Sequence, residues 1–160
     1  MAYFDRDGEA WLVLTKRPDH MPSHQGEIAF PGGKRDEADA SLEQTALREA
    51  DEEIGLAPDA VEVVGEMEAY ATLSSRFAIV PFVGVIGAPV TYAPDPSEVD
   101  KVIEVPVSEL LADGVHREER WGIGPLDRPV HFFELEDETV WGATAGILAA
   151  FLGRLVEPGH

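Results

Sequence analysis

Residues 42–54 restrict this chain more than any other stretch. Ser41 precedes them, Gln44 follows three residues later, and Gly55 closes the run. Ser41 with Gln44 reads as a capping box, and Gly55 stands where a left-handed C-cap belongs. The segment 41–54 is therefore expected to be helical. Leu42, Ala46, Leu47, Ala50 and Ile54 recur at helical spacing and give it one apolar face. At about 100° per residue, Glu49 and Glu53 become vertical neighbours at the border of that face, with Glu52 on the same flank. Carboxylates at this spacing repel one another and weaken a helix. A hard divalent cation turns that repulsion into coordination. Oxygen-only ligands suit Mg²⁺ or Mn²⁺, which keep several waters in place for a phosphate-bearing substrate. Arg48 is placed to brace one carboxylate from the side. The plain alternative is a solvated acidic face, in a chain that is acidic throughout.

The rest of the chain sets bounds on the chemistry. Its 160 residues suit one domain, and 44% apolar content is enough for a core. The absence of cysteine excludes disulfides, thiolate metal sites and a cysteine nucleophile. No apolar run reaches the roughly 18–20 residues of a membrane span, and residues 1–7 lack the apolar core of a signal peptide. The expected location is therefore cytoplasmic, with no membrane partner. A net charge of −19 argues against nucleic-acid binding, which needs a basic patch. An anionic small molecule stays within reach, because a bound cation reverses the local field.

The remaining elements read as strands and loops. Trp11–Thr15 is a strand after the turn signal Asp5-Arg6-Asp7-Gly8, and residues 18–26 are a loop. Ile28-Ala29-Phe30 is a short apolar run stopped by Pro31-Gly32-Gly33. Val61–Leu73 and Phe77–Ile86 read as two long strands joined by a hairpin at Ser74-Ser75-Arg76. Ala88–Ser97 reads as a loop, Val102–Val105 as a strand and Val107–Leu111 as a short helix. His131–Leu135 reads as a strand and Thr139–Leu155 as a terminal helix. This order gives an α/β class with mixed sheets. Met67, Tyr70, Phe77 and Trp141 are assigned to the core, with stacking on adenine the alternative for the first three, and His20 and His24 are assigned to the surface, with covering the substrate as their alternative. The 88–97 loop and the C-terminal helix are the segments offered for a homodimer contact.

Gly32-Gly33-Lys34-Arg35-Asp36 and Arg48-Glu49-Ala50-Asp51-Glu52-Glu53-Ile54-Gly55-Leu56 together resemble the Nudix box. The second half fits the family pattern at each fixed position. The first half carries a one-residue insertion: Gly33 and Asp39 sit one residue early, with Asp39 in the place of the box's first glutamate. Leu14-Thr15-Lys16-Arg17 and Gly26–Gly33 are similar to the element preceding the box in coenzyme A pyrophosphatases. Trp141-Gly142-Ala143-Thr144-Ala145 resembles another landmark of that subfamily. One position departs: Pro22 stands where that element usually has an arginine.

The resemblance implies a single Nudix domain over 1–160, folded as an α/β/α sandwich around a mixed β-sheet. Only Met1–Phe4 is left for the family's first strand, which implies a short element or a clipped start. It also implies metal-dependent hydrolysis of a nucleoside diphosphate derivative. Coenzyme A leads; ADP-ribose, NADH, a dinucleoside polyphosphate or an oxidised nucleotide is the alternative, and a catalytically silent nucleotide-binding module is the third reading. By position, Glu49, Glu52 and Glu53 match the family's metal-binding glutamates, with the Gly33 carbonyl as a further ligand. Arg48 orients Glu49 or Glu52. Glu52 is the first choice of general base and Glu98 the second. Arg17, Lys34 and Arg35 are the candidates for contact with substrate phosphate.

Two readings of the acidity stand: adaptation to a salt-rich interior, or a bacterial protein from a GC-rich genome. The first predicts that screening relieves self-repulsion, so the melting temperature rises from low salt to molar KCl. A flat or falling melting temperature across that series would overturn it.

Overall fold

A computed structural model describes residues 1–72 and 77–156. They divide into two compact units, Met1–Val107 and Ser108–His160.

The first unit is built on a mixed sheet. Strand β1 (Ala2–Arg6) pairs antiparallel with β2 (Glu9–Lys16), with Arg6 opposite Glu9. That register leaves a two-residue turn, Asp7-Gly8, with φ of 56° and 83°. Both angles are positive, the geometry of a type I′ hairpin, and Asp-Gly is its favoured sequence. Strand β1 therefore extends two residues beyond Phe4 into what the sequence marked as turn, because the turn needs only Asp7 and Gly8.

Strand β3 (Ile28–Ala29) continues along the same edge of β2, pairing with Thr15 and Lys16. Its opposite edge takes β8 (Lys101–Pro106). On the far side of β1 lies β7 (Phe82–Ile86), parallel to it, followed by β4 (Val61–Glu66) antiparallel. The expected long strands over 61–73 and 77–86 are each broken in two. A bulge between Val63 and Gly65 shifts the β4–β7 register. A separate two-stranded ribbon, β5 (Tyr70–Ala71) with β6 (Ala78–Ile79), follows. The turn assigned to residues 74–76 lies outside the described residues.

Helix α1 (Leu42–Ile54) forms where the capping signals put it. The Ser41 side chain accepts from the Gln44 N–H, and Gly55 is left-handed at φ 69°. The reciprocal half of the capping box differs, since the Gln44 side chain accepts from the Ala40 N–H at 2.6 Å. Ala50 and Ile54 pack into a core with Ala2, Val13, Ile86, Leu56 and Val99. Each large side chain buried this fully contributes about 1.5–3 kcal/mol. Leu42 does not share that face in practice: it is 42% exposed, because the core ends one turn later at Thr45.

The C-terminus of α1 anchors the 88–100 loop. The Ala93 N–H donates to the Ile54 carbonyl at 2.8 Å and the Asp95 N–H to the Glu53 carbonyl at 2.9 Å. Carbonyls that a helix end leaves unpaired thereby fix the loop that carries Glu98.

Beginning at the boundary, α2 (Val107–Leu110) is one residue shorter than expected. The second unit holds an antiparallel sheet of β9 (His116–Trp121), β10 (Arg128–Glu134) and β11 (Thr139–Trp141), with α3 (Gly142–Val156) packed on β10 and β11. Strand β9 has no signal in the sequence: His-Arg-Glu-Glu-Arg-Trp lacks apolar alternation, and all six residues are exposed. Residues 139–141 extend rather than start the helix, because they pair with β10 before Gly142 turns at φ 68°. Trp141 is 43% exposed and not a core residue. Among the described residues no helix is long and apolar enough to cross a membrane.

Gly55→Ala forces a left-handed alanine and brings its Cβ to 3.0 Å from the Ala93 Cβ. Urea unfolding should show a loss of about 2 kcal/mol; an unchanged midpoint would mean that neither the cap nor the loop contact matters.

Candidate active site

Arg48 is the centre of the site. Its Nε and Nη2 each reach an oxygen of Asp39 at 2.9 Å, a two-pronged pairing. Nη1 donates to Glu49 and to Glu52, both at 3.0 Å. Nη2 also donates to the Lys34 carbonyl at 3.2 Å. One guanidinium thus ties together the Gly-Gly loop, the pre-helix turn and two helix carboxylates.

Asp39 is buried and further held by the Asp36 N–H at 2.9 Å and the Thr45 hydroxyl at 2.8 Å. The Arg48 hydrogen bonds, with those of Asp36 and Thr45, hold its carboxyl well below the usual carboxylate range. The same partners, Asp39 first, push the Arg48 guanidinium further up. In the sequence Asp39 is a displaced box acid outside the candidate site residues; the fold makes it the anchor of Arg48. Its signal was Arg48, which needs a partner if its side chain is to be fixed.

Glu49, Glu52 and Glu53 lie as the wheel predicts, but their carboxylates do not close on one point. Among the described residues, no three histidine, aspartate or glutamate side chains form a ready chelate. Arg48 stands between Glu49 and Glu52, and it braces both, not one. Glu53 turns the other way and accepts the Gly32 N–H at 3.2 Å.

The Glu53 carboxyl is pushed up to about 7, chiefly by burial, with the Glu49 and Glu98 charges adding to the effect. The Gly32 N–H and the Arg17 charge oppose it. The charges of Glu49, Glu98 and Arg17 thus all act on Glu53. Glu98 is itself exposed, at the end of the loop anchored on α1.

The Gly-Gly loop lies against the carboxylates. A Cβ on Gly33 would overlap the Glu49 carboxylate, so a larger residue there would have to move that side chain from its place beside Arg48. Arg17, just past β2, is held by its N–H on the Glu27 carbonyl at 2.9 Å. Its Nε is buried without a hydrogen-bond partner among the described residues. An unsatisfied buried donor beside acidic groups is a place for an anionic ligand.

Lys34 and Arg35 are not gathered in with the others. The Lys34 ammonium stands 5.1 Å from the centre of the Phe77 ring. Arg35 donates to the Asp39 and Ala40 carbonyls at 3.1 and 3.4 Å, which holds the turn. Phe77 itself is 64% exposed and is not part of the core; Met67 is buried as expected. His20 and His24 are exposed, and His24 pairs with Glu27 at 2.8 Å.

The model of the NUDIX domain family matches residues 1–123. The chain belongs to the Nudix family, and it is a Nudix hydrolase. It is 38% identical over 146 residues to the uncharacterized Nudix hydrolase NudL of Yersinia enterocolitica, a match covering 88% of this chain and 71% of that one. It is 36% identical over 148 residues to the chloroplastic Nudix hydrolase 22 of Arabidopsis thaliana, covering 89% of this chain but only 49% of that protein. Among solved structures, a MutT/nudix family protein from Enterococcus faecalis superposes with a TM-score of 0.59 at 17% identity, over 98% of this chain and 60% of that one. That likeness bears on the fold, which is the expected mixed α/β class.

Nudix hydrolases generally use divalent metal ions. The donor chemistry here fits one: three carboxylates on one flank, one of them half-buried and poorly stabilised as an anion. Glu49 and Glu52 each give one oxygen to Arg48 and keep the other for an ion.

A carboxyl whose folded-state pKa lies above its ordinary 4.5 binds its proton more tightly when folded. Its ionisation destabilises the fold as pH rises from 4.5 towards 7, and the loss is complete above that. With a chelator present, Glu53→Gln should therefore exceed the wild type in urea stability at pH 8, by about 1 kcal/mol after allowance for solvent screening. The gain should vanish near pH 4. A variant no more stable at pH 8 would show that Glu53 is not strained as an anion.

Proposed function

We propose that this Nudix hydrolase cleaves the pyrophosphate bond of coenzyme A or an acyl-coenzyme A, giving 3′,5′-ADP and 4′-phosphopantetheine, with Mg²⁺ or Mn²⁺. The observation that carries the reading is the join between two segments. The Leu14–Arg17 and Gly26–Gly33 element, which resembles that of coenzyme A pyrophosphatases, is tied to the carboxylate helix by the Gly32 N–H on Glu53. Selection of the substrate and chemistry at phosphorus would then share one site. We place the reaction in the cytoplasm, within a single domain over 1–160, and without a nucleic-acid or membrane partner.

Glu49, Glu52, Glu53 and the Gly33 carbonyl would hold the metal. When bound, it would neutralise charge on the pyrophosphate oxygens. Glu52, whose side chain is 58% exposed, is the carboxylate best placed to take a proton from water. The water oxygen bonds to phosphorus, the bond from that phosphorus to the bridging oxygen breaks, and the second phosphate leaves. Arg48, fixed by Asp39, sets the position of Glu52. Arg17 offers its unsatisfied Nε to a phosphate oxygen. Glu98, whose charge acts on Glu53, is the alternative base.

Pro22 favours a second reading, in which the chemistry is kept and the substrate is ADP-ribose, NADH, a dinucleoside polyphosphate or an oxidised nucleotide. An arginine is missing there that would otherwise add a phosphate contact. The silent-module reading has against it the intact Glu49, Glu52 and Glu53, a cluster of like charges that a mere binder has no need to keep.

A chromatographic screen over these compounds with each metal tests the reading. Coenzyme A should be preferred, with 3′,5′-ADP as a product, and Glu52→Gln should lower kcat by at least about 100-fold. Preference for another compound would transfer the specificity to the 17–26 loop. Retained turnover in Glu52→Gln would move the base to Glu98.

A further inference from the structure

Strand β9 is an edge strand with all six residues exposed, so little apolar burial holds it to β10. Polar side-chain ties add to its backbone ladder instead. Arg117 bridges to Glu134 at 2.9 Å and to Glu119, with its guanidinium 3.9 Å from the centre of the Phe132 ring. On the opposite face of the strand pair, the His116 Nε2 and the His131 Nδ1 are 3.0 Å apart. That gap takes up most of the 5.2 Å between the ring centres, and the ring planes lie within 20° of each other. The rings therefore meet edge to edge, with the two nitrogens aimed at one another. One nitrogen carries a proton and the other accepts it. The His116 ring also lies 4.7 Å from the centre of the buried Phe133 ring.

A pair of this kind has room for one added proton. The first goes to an outward nitrogen and leaves the N–H···N bond intact and charge-assisted. Glu118, with its Oε2 4.0 Å from the His131 Nδ1, balances that one charge. A second proton must sit on the accepting nitrogen. The bond is then lost, and two imidazolium rings oppose each other across the strand pair. We propose that His116 and His131 form a one-proton latch on strand β9, closed near neutral pH and opened when the second proton enters in mild acid.

The surroundings of the latch leave that second charge unbalanced. Glu118 and Arg120 share its face of β9, and Arg120 is already paired with Asp127 at 2.8 Å. Strand β11 has no charged residue, and α3 has one, Arg154, in its last turn. Partial burial and the His131 charge push His116 below its ordinary 6.5, and Glu118 opposes them. The Trp121 N–H and Arg117 hold Glu119 below the usual carboxylate range, and the Thr139 hydroxyl and Arg117 do the same for Glu134. The Arg117 ties thus persist in mild acid, where the histidine pair changes charge. Once β9 lifts, both rings titrate near about 6.5, so the opened strand binds a proton that the latched strand refuses. Opening is therefore favoured as pH falls below that value, by up to about tenfold per pH unit.

Native-state amide hydrogen exchange on the full chain at pH 7.5 and 5.0 tests the latch, with protection taken relative to the intrinsic rate at each pH. The β9 amides should lose about 30-fold in protection, and those of the β1–β2 hairpin should lose none. His116→Gln and His131→Gln keep a polar side chain that takes no charge, and each should abolish the difference. Unchanged protection in the wild type, an equal loss in the β1–β2 hairpin, or the same loss in both variants would overturn the proposal. Imidazole nitrogen NMR shifts of the wild type give a second readout that needs no variant. While β9 stays protected, no more than one of the two rings should be charged. Two charged rings on a protected β9 would sink the latch.

Discussion

The Arg48–Asp39 pair is the contact on which the site depends. Helix α1 places three carboxylates on one flank, an arrangement that repels itself. Arg48 relieves that repulsion without a metal by sharing Nη1 between Glu49 and Glu52. It can hold both because its other two nitrogens are fixed on Asp39, which is buried and held in turn by Thr45 and the Asp36 N–H. A guanidinium is suited to this role: it is planar, always charged and offers several donors at fixed angles, which a lysine ammonium does not.

The two sides of the helix flank differ in what balances them. Glu49 and Glu52 have a cation beside them. Glu53 has mainly one backbone N–H, and its carboxyl is raised by burial among other acids. The site thus stores an unbalanced charge at the point where the Gly-Gly loop, the Arg17 strand end and the 88–100 loop meet. A divalent ion would relieve it, and the cost of holding three carboxylates together is a common trade between stability and activity.

Loop attachment is what turns a helix flank into a site. Gly33 approaches the Glu49 carboxylate closely because it has no side chain to obstruct it, and Gly32 donates its N–H to Glu53. Asp95 and Ala93 donate to the last carbonyls of α1 and bring Glu98 towards Glu53. Arg17 follows the strand β2, whose Leu12, Val13 and Leu14 are buried on both faces. A fully buried strand moves little, so the guanidinium beyond its end is well placed.

The sequence by itself determined the helix, its two caps, the carboxylate flank and the presence of a turn ending at Asp7-Gly8. These depend on contacts within a few residues, where spacing and residue type are sufficient. It did not determine strand β9, the division of the 61–86 segment or the early strand at 139–141, because strand pairing is decided by a partner far along the chain. Nor did it determine the roles of three residues. Asp39 acts through a bond to Arg48 nine positions away, Arg35 is drawn onto loop carbonyls, and Phe77 is held out in solvent rather than buried. Tertiary structure decides such cases because a side chain's role depends on what the folded chain brings within hydrogen-bond reach, and periodicity carries no record of that.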